Sequence, residues 1–481
     1  MTLRRQAFSG VRWTTISSLG RTALQIAQIS ILARLLTPAD FGLLALVTSI
    51  MSFLQIFADA GISNAIIHHQ DVTQEQLSSL YWLNVIVSFF LAFFVVVVSP
   101  WVAAMYGYPQ LKLLLLFAGC TLAIGALAQQ IRVVAQKNLK FAELAKIDLS
   151  AACVGFIVAV VAAYNDAGVY SIAIGSFATA PIGSALVWYR LADRWRPLIR
   201  FKIQEIRHFL AFGGYMIGNN LVNTFNSQID IILGGKILGS QSIGLYSMSR
   251  DLNLRIAGVI NPIVTSIGLP VMAKAQHDKA LLKRVYLQTM RMTASVNFPV
   301  YIALALFAPE VVHVLLGAKW IEAIPLLRIF TFWGLVRSTG NPIGSLLLAC
   351  GRADLSFKWN LALLVIMLPV IWASSCYGVS GIAFAVTGIM LLLFLPSWYF
   401  LVSPLCGAKL GEYTNQMLTP LILSVLAGGV AYVFSSLLVN ELSKLVIAVI
   451  LGCLLYIGLS WRFNRKWVGA MKELFLMKAV R

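Results

Sequence analysis

The sequence predicts an all-α integral membrane protein with fourteen transmembrane helices arranged as two repeated halves. Three observations predict it. Of 481 residues, 59% are hydrophobic and 11% are charged; soluble domains carry about 45–50% apolar and about 25% charged residues. So little charge cannot cover a water-facing surface of this length, which excludes a soluble enzyme, a disordered chain and a disulfide scaffold. Apolar runs of crossing length, roughly 20 residues each, recur along the whole chain with only short polar gaps between them. The basic residues alternate between those gaps in the manner of loops on two sides of a bilayer.

The spans follow in order. The first, 7–36, carries Arg12, Arg21 and Arg34 and lacks a long apolar centre, so it is not a cleavable signal. The turn Thr37-Pro38-Ala39-Asp40 closes it and 40–68 follows. Span 76–105 ends at Tyr106-Gly107-Tyr108-Pro109, and 110–135 begins there. A basic gap leads to 143–164, the turn Asn165-Asp166-Ala167-Gly168 leads to 167–190, and a second basic gap precedes 207–238. The pattern continues as 241–275, 281–308, 320–350, 354–377, 380–403, 415–438 and 441–462. No loop is long enough for a separate soluble domain. The domain boundaries that follow are 1–200 for the first lobe, 201–405 for the second, and 406–481 for two further helices and a basic tail.

Net charge is +19, from 37 Lys+Arg against 18 Asp+Glu. Such basicity suggests nucleic acid only when it forms a face on a folded domain. Here 26 basic residues fall in gaps on one side and 4 on the other. The positive side is cytoplasmic, which places both termini there. The segment 193–207 mixes Arg and Lys with apolar residues, so it reads either as an interfacial helix on anionic lipid or as an ordinary basic loop. The cysteines at 120, 153, 350, 376, 406 and 453 form no CxxC and read as small apolar residues. No phosphate-binding glycine loop, nucleophile elbow or metal spacing is present, and His68, His69, His208, His277 and His313 pair with no cysteine. No cofactor and no catalytic site are expected.

A repeat is visible. Arg34-Leu35-Leu36-Thr37-Pro38-Ala39-Asp40-Phe41-Gly42-Leu43 returns 202 residues later as Lys236-Ile237-Leu238-Gly239-Ser240-Gln241-Ser242-Ile243-Gly244-Leu245. The offset is six spans, an even number, so the halves share one orientation and form a parallel repeat. On the first span, Thr14, Ser18, Arg21, Gln25 and Gln28 lie on one helical face. Adding 202 to the last four gives Asn220, Asn223, Ser227 and Asp230, all polar. Polar groups facing hydrocarbon cost several kcal/mol each, so both stripes are expected to face a wet cavity between two lobes.

With Arg12 counted at the amino end and the basic residues near other span ends counted with the adjoining gaps, seven basic residues are left inside spans, all arginine: Arg21, Arg34, Arg250, Arg255, Arg291, Arg328 and Arg337. Against them the reading sets Asp59, Asp230 and Asp251 as intramembrane acids. An uncompensated positive cavity suits an anion, and the planar guanidinium suits phosphate. Bland roles compete. Asp251 and Arg255 are four residues apart and can neutralise each other; Arg34 and Arg328 can reach the outer interface, and Arg291 the inner one. Asp59 reads as a charge partner or as a coupling site for a counter-ion, as does Asp230.

Ala33-Arg34-Leu35-Leu36-Thr37-Pro38-Ala39-Asp40-Phe41-Gly42 is similar to the segment joining the first two helices of bacterial polysaccharide exporters in the multidrug/oligosaccharidyl-lipid/polysaccharide superfamily. Asp59-Ala60-Gly61-Ile62-Ser63-Asn64-Ala65-Ile66-Ile67, Leu80-Tyr81-Trp82-Leu83-Asn84 and Val336-Arg337-Ser338-Thr339-Gly340-Asn341-Pro342-Ile343-Gly344-Ser345-Leu346-Leu347 resemble the Wzx-type flippase branch that includes the colanic acid exporter. So does Asp354-Leu355-Ser356-Phe357-Lys358. The resemblance implies two six-helix lobes plus two C-terminal helices, alternating access, and residence in the bacterial inner membrane. It implies an oligosaccharide repeat unit on undecaprenyl pyrophosphate as cargo, with membrane lipid and export components such as the polymerase as partners. Cavity arginines holding pyrophosphate carry over to Arg21, Arg250, Arg255, Arg291 and Arg337. Gln25, Gln28, Asn220 and Asn223 are then expected against the sugar. A drug or organic-cation antiporter of the same superfamily would want an acidic cavity, and a membrane polymerase or ligase would want a long outer loop. The longest outer candidate, 309–319, is short.

Overall fold

The computed structural model describes residues 3–59, 61–63, 66, 72–192 and 195–469. Ala60, Asn64, Ala65, His68, His69, Arg194 and the basic tail beyond 469 lie outside the described residues. The chain is helical, with no strand among those described. Helices α1 (Leu3–Leu35) and α2 (Pro38–Asp59) meet at the expected turn. Thr37 caps α2: its amide donates to Asp40 Oδ2 at 2.9 Å and its hydroxyl to the same oxygen at 2.7 Å. Pro38 stands at the first helical position, where a missing N–H costs nothing.

Next come α3 (Gln74–Tyr106), α4 (Gln110–Lys137), α5 (Phe141–Tyr164) and α6 (Tyr170–Leu191). A reciprocal capping box between Thr73 and Gln76 opens α3. After it α7 runs from Ile203 to Lys274. At 1.5 Å per residue its 72 residues would measure about 108 Å, over three times the hydrocarbon thickness. Gly239, with φ 83°, breaks it into arms 203–238 and 240–274. The amide of Ser240, released from the helix by that break, donates to the Tyr108 hydroxyl at 2.9 Å.

The remaining helices are α8 (Lys279–Leu306), α9 (Ala323–Ala349), α10 (Ala353–Ser374), α11 (Gly378–Leu392), α12 (Leu410–Ser435) and α13 (Glu441–Phe463). The outer stretch 309–319 holds a short helix, Ala308–Leu315, bent by 80° from α8. It forms because Pro309 sits in its first turn and Ala308 and Val312 are fully buried. Of the basic segment after α6, the chain is helical from Ile203 as the start of α7, and residues 195–202 are irregular and held against the start of α3. There Trp82 Nε1 donates to Leu198 O at 2.8 Å, the Leu198 amide to Ser78 Oγ at 3.1 Å, and Arg200 pairs with Glu75 at 2.7 Å.

Among the described residues, eight helices are long and apolar enough to cross a membrane, or nine if α8 and its bent continuation count as one. The stretch Ala353–Cys406 enters that count once, although the turn Ser375–Tyr377 interrupts it. α1, α7 and α9 fall outside the eight, and α8 qualifies only together with its continuation. Those four helices carry Arg21, Arg250, Arg255, Arg291 and Arg337. The polarity that sets them apart from the eight apolar helices includes the residues assigned to the site.

The chain divides into two compact units, Met1–Gly244 and Leu245–Arg481. In the first, α1 packs on α5 around Leu32, Leu36, Ala159 and Ala163, and α6 is tied to α4 by Trp188 Nε1 donating to Leu127 O at 2.9 Å. The first arm of α7 runs beside α2, where Phe53 meets Phe225 edge-on at 4.6 Å and Ser49 donates to Gln228 at 2.9 Å. At the end of that seam the two copies of the repeated motif touch. A Cβ on Gly42 would lie 1.9 Å from the Ser240 carbonyl oxygen, and one on Gly244 would lie 1.8 Å from that of Pro38. The contact is reciprocal under the 202-residue offset, like that of an isologous interface. In the second unit a core of Tyr286, Met290, Phe298, Tyr301, Leu346 and Tyr413 gathers α8, α9 and α12.

Candidate functional site

In the first unit, Arg21 stands 14 residues before the end of α1, about 21 Å along the axis. Its partners stand within two turns of the connection between α4 and α5. Its Nη1 lies 3.3 Å from Asp148 Oδ2, and Arg132 Nη1 meets the other oxygen of the same carboxylate. The side chains are 44%, 21% and 26% exposed for Arg21, Asp148 and Arg132, so Arg21 is the most exposed of the three. Two positive groups share one negative one, leaving a surplus of +1. Asp148 is a fourth acid that the intramembrane tally of three did not contain. Gly20 brings α1 close here, since a Cβ on it would touch the Leu149 side chain at 3.1 Å.

Further along the same face, Gln25 is exposed and Gln28 half-buried. On the first arm of α7, Asn223 is exposed, Asn220 half-buried and Asp230 buried, with the Ile231 amide donating to Asp230 at 2.9 Å. Asp59 accepts a hydrogen bond from the Ser63 hydroxyl, and Gln129 donates to that hydroxyl at 3.4 Å. Among the described residues the neighbour of Asp59 is thus a hydroxyl rather than an arginine.

In the second unit, Arg337 is exposed on α9 and its guanidinium lies 4.9 Å from the ring centre of Trp333, one turn before it. An indole ring at this distance stabilises the cation through its π face. Arg291 is half-buried, and its Nε donates to Asn464 Oδ1 at 2.7 Å; Asn464 Nδ2 donates to Ser295 Oγ at 2.9 Å. Arg291 therefore also fastens α8 to the end of α13. Arg255 and Asp251 are half-buried on one face of α7. Arg250 is 5% exposed, packed inside the unit rather than open to a ligand.

Sequence reasoning missed three of these groups. Asp148 and Arg132 lie within two turns of a basic gap, where Arg132 is one of the basic residues counted with the gap and Asp148 drew no reading. Trp333 has no charge to draw attention, although its spacing of four from Arg337 is the available signal. Among the described residues, no group of three or more His, Cys, Asp or Glu is placed to hold a metal.

The family model described as polysaccharide biosynthesis protein matches residues 31–325. The chain is similar to the teichuronic acid biosynthesis protein TuaB of Bacillus subtilis (strain 168), 28% identical and covering 95% of each chain. It is also similar to the lipopolysaccharide biosynthesis protein WzxC of Escherichia coli (strain K12), 27% identical over 92% of this chain and 90% of that one. Among solved structures, the lipid II flippase MurJ in an inward closed conformation superposes with a TM-score of 0.74 at 15% identity, covering 95% of this chain and all of that one. An inward-facing multidrug transporter of the MATE family gives 0.65 at 15% identity, covering 82% of this chain and 98% of the other. At such identities the likeness is one of fold.

Proposed function

The chain belongs to the polysaccharide biosynthesis protein family, and from that premise we propose that it flips undecaprenyl-pyrophosphate-linked oligosaccharide repeat units of an exopolysaccharide across the bacterial inner membrane by alternating access. It is a multi-pass membrane transporter, not an enzyme. In the full proposal the chain crosses fourteen times, as two parallel six-helix lobes plus two C-terminal helices, with both termini cytoplasmic.

One observation carries the reading. The helices more polar than the eight apolar spans are the ones that hold the five assigned arginines and the amide stripe. A guanidinium on such a helix needs water or an anion, and a diphosphate headgroup supplies the anion. Arg21, Arg255, Arg291 and Arg337 are assigned to the diphosphate, and Arg250 joins them only in a conformation that uncovers it. Gln25, Gln28, Asn220 and Asn223 are assigned to sugar hydroxyls, whose repeated donors and acceptors match carboxamides. Asp59, Asp230 and Asp251 are assigned to charge pairing or ion coupling. The surplus of positive charge around Arg21 favours this cargo over an organic cation.

The test is complementation of a flippase-null strain. Arg21→Ala and Arg337→Ala are expected to abolish polymer export at wild-type protein levels, while Arg21→Lys and Arg337→Lys retain part of it. Normal export by both alanine variants would overturn the assignment.

A further inference from the structure

The trio Arg21, Asp148 and Arg132 has a property that neither arginine has alone. The Asp148 carboxylate presents one oxygen to Arg21 at 3.3 Å and the other to Arg132 in the closer contact. It is the least exposed of the three side chains, at 21%, and it sits between α1 and α4. Gly183 on α6 leaves room beside it: a Cβ there would lie 3.2 Å from Arg132 Nη2. Arg21 is thus held by its carboxylate partner on one side and exposed on the other.

We propose that Asp148 is an internal stand-in for the phosphate of the cargo, occupying Arg21 in the empty carrier and yielding it when a diphosphate arrives, with Arg132 retaining the displaced carboxylate. This rests on the flippase reading and deepens it by naming a positioning residue and its counter-charge. The physical case is one of paired charges. An arginine in the membrane with no anion is costly, so the empty carrier needs a resident one. A resident anion bound only to Arg21 would be stranded when the cargo displaced it, and a stranded half-buried charge is costly too. Arg132 removes that cost, because Asp148 keeps one full partner in both states. The competition also sets selectivity. A diphosphate brings two charges and bidentate oxygens and outcompetes a carboxylate; a singly charged anion does not. Release on the far side is helped because Asp148 is waiting to take Arg21 back.

The experiment uses the full chain in nanodiscs of zwitterionic lipid. Binding of geranylgeranyl diphosphate and geranylgeranyl monophosphate is measured by tryptophan fluorescence, and export is scored in the null strain. Asp148→Asn is expected to tighten diphosphate binding about tenfold, monophosphate binding far less, and to slow export by hindering release. Asp148→Glu is expected to keep wild-type selectivity between the two lipids. Arg132→Gln is expected to weaken diphosphate binding about tenfold, because the displaced carboxylate is then stranded. If Asp148→Asn does not fold, as judged by gel filtration, Arg132→Gln decides the matter alone. Wild-type protein that binds the diphosphate with no response to Asp148→Asn or Arg132→Gln overturns the stand-in and leaves the flippase reading intact. Equal tightening for both lipids overturns it as well. Wild-type protein that binds neither lipid overturns both.

Discussion

An arginine within a bilayer is stable only where its charge is matched, hydrated or spread over a polarisable surface, and the candidate arginines use different means. Arg21 has a shared carboxylate, Arg337 an indole face, and Arg291 a carboxamide. The Arg291 case makes a stability prediction distinct from transport. Asn464 is fully buried and joins Arg291 to Ser295, while Tyr456 donates to the Ser295 carbonyl at 2.8 Å. Asn464→Ala removes both links and is expected to cost about 1–3 kcal/mol. The expected result is a lower melting temperature in detergent, with export per folded molecule unchanged. An unchanged melting temperature would show that the link carries no stability. The arginine side of these pairs was legible in the sequence, because a charge in an apolar run stands out by itself. The partners were not: Asn464 is 173 residues from Arg291 and Asp148 is 127 from Arg21, and nothing in the local pattern ties either pair together.

Helix ends were more legible than side-chain pairs because caps are local chemistry. Thr37 with Asp40, and Gly107 with its φ of 76°, lie where the turn signals put them. The short helix Ala308–Leu315 escaped notice because eight residues cannot show a period against a run of apolar neighbours. The strap 195–202 was left open between two readings because its basic and apolar alternation suits a surface helix as well as a pinned coil. The break at Gly239 allows a test at this scale. Gly239→Ala places a β-carbon in the left-handed region and 3.1 Å from the Tyr108 hydroxyl, which is expected to cost about 1–2 kcal/mol. Tyr108→Phe leaves the Ser240 amide without its acceptor and is expected to cost a similar ~1–3 kcal/mol. Both are read as shifts in thermal unfolding. Since the two changes act on one site, the double variant is expected to lose less than the sum of the singles.

For the whole molecule, the orientation predicted by the distribution of basic residues is open to direct labelling. Cys376 is exposed in the turn between α10 and α11, which the fourteen-span arrangement puts outside. Cys453, also exposed, lies within α13, where lipid surrounds it. A membrane-impermeant maleimide applied to intact spheroplasts is expected to label Cys376, and Cys376→Ser is expected to abolish the signal. Labelling only after lysis would reverse the orientation. The meeting of Gly42 and Gly244 bears on the molecule as a whole. Each is hemmed in by backbone oxygen within 2 Å of where a methyl group would sit, and backbone does not swing aside as a side chain can. Gly42→Ala and Gly244→Ala are each expected to abolish accumulation of folded protein. The two stretches thus form one mutational target despite their separation along the gene. A chimera spliced from this chain and a relative between residues 42 and 244 inherits the requirement that its two parents agree at that spot.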